Sequence, residues 1–120
     1  MTLDELRALL MGRPGASEDF PFGPEPLVAK VGGRMFALVS FRRPPLQISL
    51  KCDPYHAQLL RDTYPAVRPG YHLNKRHWIT VTLDGSLPEE LLRSLIDESY
   101  ALVVRGLTRA ARRALEGEPT

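Results

Sequence analysis

The sequence predicts an α+β fold of order α-β(3)-α-β(2)-α: an antiparallel five-stranded sheet with its helices packed on one face. Three observations carry this. Apolar residues recur at helical spacing near the start, in the middle and towards the end of the 120 residues. Between those segments they alternate with a period of two, as half-buried strands do. Glycine, proline and acidic turn formers separate the segments.

The first helix is expected over Leu3–Met11, opened by the capping box Thr2-Leu-Asp-Glu5 and stopped at Gly12. Ser17 to Pro26, rich in acids and prolines, reads as an irregular loop anchored by Phe20 and Phe22. Leu27–Val31 and Met35–Phe41 read as a hairpin, because Gly32-Gly33 supplies the positive φ angles of a tight turn. Leu46–Lys51 alternates, with Leu46, Ile48 and Leu50 on one face. Asp53-Pro54 is an N-cap followed by proline at the first helical position, opening a second helix that buries Ala57, Leu60 and Tyr64. A short strand around Tyr71–Asn74 and a longer one over His77–Leu83 complete the sheet. Ser86-Leu-Pro-Glu89 reads as a second capping box, opening a long helix that buries Leu92, Leu95/Ile96, Tyr100 and Val103 and ends at Gly106. Residues 108–120 form a helix-prone tail without a clear apolar face. One domain spanning 1–120 is expected.

The net charge of +2 is unevenly divided. Residues 1–25 carry −3, residues 26–83 carry +7 and residues 84–120 carry −2. No acid lies between Glu25 and Asp53, nor between Asp62 and Asp84, so the basic residues there have no sequence-local partners. Either this makes a basic patch, or the acidic end helices pack across the middle and neutralise it. The single cysteine, Cys52, excludes an internal disulfide framework and suits a reducing compartment. With a capped helix in place of a leader and no long apolar run, a soluble cytoplasmic protein with no membrane partner is expected.

The one specialised stretch is Pro69-Gly-Tyr-His-Leu-Asn-Lys-Arg-His-Trp78, which holds two histidines, two aromatics and adjacent cations without an acid. Tyr71 and Trp78 offer rings for stacking, while Asn74, Lys75 and Arg76 offer donors and charge, a combination suited to nucleic acid. The strand parity puts Lys30, Gln47, Ser49, Lys51, Trp78, Thr80 and Thr82 on the face the helices leave open. The competing readings are a solvated turn at Lys75-Arg76 and a Trp78 that covers the edge of the core.

Several separated pieces resemble the MmcQ/YjbR-like family of bacterial proteins: Phe20-Pro-Phe-Gly-Pro24, Val28-Ala-Lys-Val-Gly-Gly-Arg-Met-Phe36, Leu50-Lys-Cys-Asp53, Pro69 to Lys75 with His77-Trp-Ile79, and Ser99-Tyr-Ala-Leu-Val103. The resemblance covers about Phe20 to Leu107. It implies the same element order, similar to type III secretion chaperones and to the sheets of frataxin-like (CyaY-like) proteins, and a double-wing arrangement from which DNA binding is inferred. It points to Lys51, Tyr71, His72, Asn74, Lys75, His77 and Trp78 as the characteristic surface, with Arg34 at the tip of the first hairpin and Arg76 as an added cation.

A DNA-binding protein is therefore expected, contacting phosphate through Arg34, Lys51, Lys75 and Arg76, with Tyr71, His72, Asn74, His77 and Trp78 beside them. The rival is a protein-interaction module, peptide-binding or dimerising, which would expose an apolar patch near Val28, Met35 or Trp78. No enzyme is expected. A nucleophilic Cys52 paired with His56 would need a third group to orient the histidine, and the sequence shows none. No cofactor or metal is expected either, since Cys52 with His56 is the only pair with metal-like spacing and Cys52 precedes the helix. A pocket uniting Cys52, His56, His72 and His77 is the remaining small-ligand alternative.

Overall fold

The computed structural model describes residues 1–71 and 73–116. Its elements are α1 (Leu3–Met11), β1 (Ala16–Asp19), β2 (Leu27–Val31), β3 (Arg34–Ser40), β4 (Gln47–Lys51), α2 (Pro54–Thr63), β5 (Val67–Pro69), β6 (Trp78–Thr82), α3 (Glu89–Arg105) and α4 (Arg109–Leu115). The α+β class and the antiparallel sheet are as the sequence predicts. The sheet has six strands rather than five, in the order β1-β2-β3-β4-β6-β5.

The extra strand lies in the stretch expected to be irregular. Ala16–Asp19 has weak strand propensity, but it pairs antiparallel with Val28–Val31. Two ion pairs fasten it: Glu18 with Arg7 of α1, and Asp19 with Lys30 of β2. Tertiary partners override propensity here. The strand expected at Tyr71–Asn74 is instead β5, where Val67 is buried opposite Val81. Gly70 N donates to the Trp78 carbonyl at 2.9 Å, and the chain then leaves the sheet as a loop.

The capping chemistry fits the remaining boundaries closely. Thr2 and Glu5 make the reciprocal bonds of the expected box on α1. Asp53 accepts from the N–H groups of Tyr55 and His56 at the start of α2. Gly32 and Gly33 take φ angles of 58° and 79°, as the tight β2–β3 turn requires. The second expected box does not form: Pro88 stands at the N-cap of α3 without a side-chain bond, and Ser86 bonds Asp84 instead. Thr108 caps α4 through Ala111 N, and Leu115 packs against the core. Residues 117–120 of the expected tail lie outside the described residues.

The helices gather on one sheet face. Leu6 and Leu10 of α1, Ala57 and Leu60 of α2, and Leu92, Leu95, Ile96 and Val103 of α3 are buried with Leu27, Ala29, Val39, Ile48, Leu50, Ile79 and Val81. Phe36 belongs to this core through a bulge: Ala37 pairs with Ala29 and Met35 with Lys30, leaving Phe36 as the additional residue of β3. Its ring meets Tyr100 edge-on at 5.4 Å.

The opposite face is not the open basic surface its strand parity suggests. Val28, Ser49, Thr80 and Trp78 are all buried there. Alternation assigns side chains to faces correctly but says nothing about loops folding over one. Phe22 and Pro26 from one loop, with Tyr71 and Leu73 from another, border a recess of about 440 Å³ above Met35, Leu38, Gln47, Ser49 and Thr80. Among the described residues no helix is long and apolar enough to cross a membrane.

Candidate nucleic-acid interface

On α2 the apolar positions Ala57 and Leu60 face the core, which turns Tyr55, Gln58 and Arg61 outward by helical spacing. Tyr55 is 87% exposed. These side chains form one wall of a cleft of about 510 Å³ whose other residues are Pro54, Pro69, Lys75 and Arg76. The far wall owes its shape to Asn74. Its Oδ1 accepts from Arg76 N at 2.9 Å and from His77 N at 3.3 Å, and its carbonyl accepts from His77 N at 3.2 Å. This side-chain turn folds the loop tightly and leaves Lys75 and Arg76 exposed. Lys75 Nζ reaches back to the Gly70 carbonyl at 3.3 Å. Arg61 Nη2 donates to Gln58 Oε1 at 2.9 Å, and its Nη1, buried, has no hydrogen-bond partner among the described residues.

A second recess of about 340 Å³ lies at the hairpin end of the sheet, between Arg34, Met35, Lys51 and Trp78 on one side and Leu102, Val103 and Gly106 at the end of α3 on the other. Lys51 and Trp78 are directly opposed on β4 and β6. Trp78 is only 9% exposed, so its ring is packing and not a stacking platform, contrary to the expectation. Gly70 leaves it room: a Cβ there would lie 2.7 Å from Trp78 Cβ and 3.1 Å from its carbonyl oxygen.

The expected site residues therefore separate. Lys75 and Arg76 share the cleft, and Asn74 holds their loop. Arg34 and Lys51 stand together at the hairpin end. Tyr71, 69% exposed, borders the sheet-face recess, where its N–H donates to Thr80 Oγ1 at 3.0 Å. His77 is exposed, and its carbonyl accepts from Cys52 N at 2.8 Å. His72 lies outside the described residues. Tyr55, Gln58 and Arg61 were not anticipated, although the face of α2 opposite Ala57 and Leu60 could have named them.

The acidic ends leave the basic middle largely unneutralised. Among the described residues, Glu18 pairs with Arg7, Asp97 with Arg13, Glu89 with Arg93 and Asp19 with Lys30. Of the nine lysines and arginines between residues 26 and 83, only Lys30 has a carboxylate within salt-bridge distance among those residues. Lys75 and Arg76 are exposed and Arg61 half-buried, and none of the three has a counter-ion among the described residues.

Behind the cleft, at the start of α2, Cys52 and His56 meet Glu98 of α3. His56 Nδ1 lies 2.6 Å from Glu98 Oε1, and the Cys52 thiol donates to Glu98 Oε2 at 3.4 Å. Asp53 N also donates to Oε2, at 3.1 Å. Glu98 is the third group the sequence could not show beside Cys52 and His56. It does not make a nucleophile of the cysteine. Burial, reinforced by the charges of Glu98 and Asp53, pushes the thiol up to about 12, and its proton points to the carboxylate rather than to the imidazole.

The YjbR family model matches residues 11–102. The uncharacterized protein YbdF of Escherichia coli O157:H7 is 48% identical over 90 residues, 75% of this chain and 74% of that protein. The uncharacterized protein YjbR of Escherichia coli K12 is 40% identical over 115 residues, 96% and 98% of the two chains. Among solved structures, the Deinococcus radiodurans protein DR2400, with its DUF419 domain, superimposes with a TM-score of 0.90 at 48% identity, covering 98% of this chain and 89% of that one. A Pseudomonas syringae protein superimposes with a TM-score of 0.73 at 28% identity, covering 85% and 98%.

Proposed function

The chain belongs to the YjbR family, and from the cleft at its α2 surface we propose that it binds nucleic acid, chiefly through phosphate. One observation carries this reading: Arg61, Lys75 and Arg76 converge on one cleft beside an exposed tyrosine, with no protein carboxylate pairing them among the described residues. Such unpaired cations displace the counter-ions condensed on a polyanion, which favours binding without choosing a sequence. Tyr55 supplies the ring that Trp78 does not, placed where a base next to a bound phosphate can stack on it. Arg34 and Lys51 extend the positive surface at the hairpin end.

The test is fluorescence-anisotropy titration of labelled single- and double-stranded DNA across a salt series, comparing the wild type with Arg61→Glu/Lys75→Glu/Arg76→Glu. Affinity should fall steeply with salt. The triple variant should bind at least roughly tenfold more weakly, with a salt slope shallower by about one for each cation that touches phosphate in the wild type. Equal binding by the triple variant, or affinity independent of salt, would refute the reading.

A second reading rests on the other side of the sheet. Phe22 and Tyr71 are exposed at the rim of a recess floored by Met35 and Leu38, which suits an apolar side chain of a polypeptide partner. Absence of DNA binding at low salt would favour it.

A further inference from the structure

The cluster formed by Cys52, His56 and Glu98 has a chemistry that the nucleic-acid reading does not use. Its members come from three places in the fold: Cys52 follows β4, His56 lies in the first turn of α2, and Glu98 lies in α3. A sulfur, an imidazole nitrogen and a carboxylate oxygen lie within 4.8 Å of one another. We propose that these three side chains form a mononuclear site for a thiophilic divalent cation of the Zn²⁺ class.

The donor set selects the class of ion. Thiolate and imidazole suit zinc, whereas magnesium and calcium prefer all-oxygen surroundings. The spacing is close to what such an ion requires. With metal–sulfur and metal–nitrogen or –oxygen distances of about 2.3 and 2.0–2.2 Å, tetrahedral ligand atoms stand roughly 3.3–3.6 Å apart. Cys52 Sγ and Glu98 Oε2 are already 3.4 Å apart. His56 Nδ1 is 2.6 Å from the other oxygen, Oε1. Ligation through a single oxygen therefore needs the ring to move back by roughly 0.7 Å and the carboxylate to turn. These are small adjustments for a ring on the half-exposed first turn of a helix and for donor atoms already within 4.8 Å of one another.

The surroundings fit the bound state. Asp53 N–H donates to Glu98 Oε2 and fixes the carboxylate, the outer support that metal ligands usually have. The Asp53 side chain is occupied in capping α2, so it does not compete as a ligand. Cys52 is protonated without an ion, since burial and the neighbouring carboxylates push its thiol up to about 12, so the ion itself must displace the proton. On binding, the thiol proton passes to solvent, and thiolate plus carboxylate balance the dication. The fourth position opens towards solvent beside His56, whose side chain is 35% exposed. The site is independent of the nucleic-acid reading, although His56 and Arg61 share α2.

The test titrates the full chain with Cd²⁺, whose thiolate charge-transfer absorption reports sulfur ligation directly. Zn²⁺ is then measured by competition against a chromophoric chelator. One ion per chain is expected, with the Cd²⁺ band abolished in Cys52→Ser and affinity lowered at least roughly tenfold in His56→Gln. Should Cys52→Ser fail to fold, His56→Gln at its half-exposed position keeps the experiment decisive, together with a Zn²⁺-dependent rise in the wild-type Tm that the variant lacks. No charge-transfer band, or equal affinity in folded His56→Gln, overturns the proposal. The second result would show that His56 is not a ligand.

Discussion

The hydroxyl of Ser99 donates to the carbonyl of Phe36 at 2.6 Å and accepts from the backbone N–H of Lys51 at 2.8 Å. Phe36 is the bulged residue of β3, and Lys51 ends β4, so one fully buried side chain of α3 serves two backbone groups of two strands. Ser99→Ala removes both bonds and leaves a carbonyl and an N–H without them in a dry setting. The expected cost is about 2 kcal/mol, read as a lower denaturation midpoint with an unchanged m-value. Ser99→Cys, close in shape but a weaker donor, should fall between the two.

Trp78, expected from the sequence to stack, is buried, whereas Tyr55, to which the sequence assigns no role, is exposed. Trp78→Ala empties a packed position and should cost about 3 kcal/mol of stability or more. Tyr55→Ala should leave stability within about 0.5 kcal/mol of wild type. If the α2 cleft binds nucleic acid, Tyr55→Ala alone should weaken single-strand binding, by about 1–3 kcal/mol for a stacked base. Thermal melts beside anisotropy titrations separate these effects.

Gly70 is required for its missing side chain. Gly70→Ala drives a methyl group to 2.7 Å from Trp78 Cβ and 3.2 Å from its backbone carbon. Because backbone cannot rotate aside as a flexible side chain can, the loop must shift. A destabilisation of about 1–3 kcal/mol is expected, with amide exchange quickening first in the segment from Gly70 to His77.

The edge of the sheet gives a dependence on acid. Arg7 bonds both oxygens of Glu18, at 2.7 and 2.8 Å, and holds its carboxyl below the ordinary value. A carboxyl with a depressed folded-state pKa contributes stability that is present above its unfolded pKa and lost as pH falls through the folded one. Glu18→Gln should therefore lower Tm at neutral pH, and the gap should close as wild type is acidified through that range. A constant gap down to strong acid would show that the ion pair is not its source.

Most of the fold was legible because its signals are local. The capping box at Thr2, the Asp53-Pro54 start of α2, the Gly32-Gly33 turn and the alternation at 46–51 depend on neighbours a few residues away. The misreadings arise where a distant partner decides. Ala16–Asp19 becomes a strand only because β2 lies beside it, and Trp78 is buried with the backbone of Gly70 close against it. At the candidate site, Lys75 and Arg76 stood out through the absence of acids around them. Glu98 could not be connected with His56, since 42 residues separate them and α3 alone gives no reason to prefer that carboxylate over Asp97. Tyr55, Gln58 and Arg61 were within reach, because the buried stripe of α2 already implies its outer one.

The two outermost strands are built against self-association. β1 is four residues long and spells Ala-Ser-Glu-Asp, with its two acids held by Arg7 and Lys30. β5 is three residues long and closes on Pro69, which has no N–H to offer a newcomer. An extended chain approaching either side finds a short, charged or donor-poor rim where a longer apolar one would template another strand. Both ends of the sheet are thereby poor templates for edge-to-edge polymerisation.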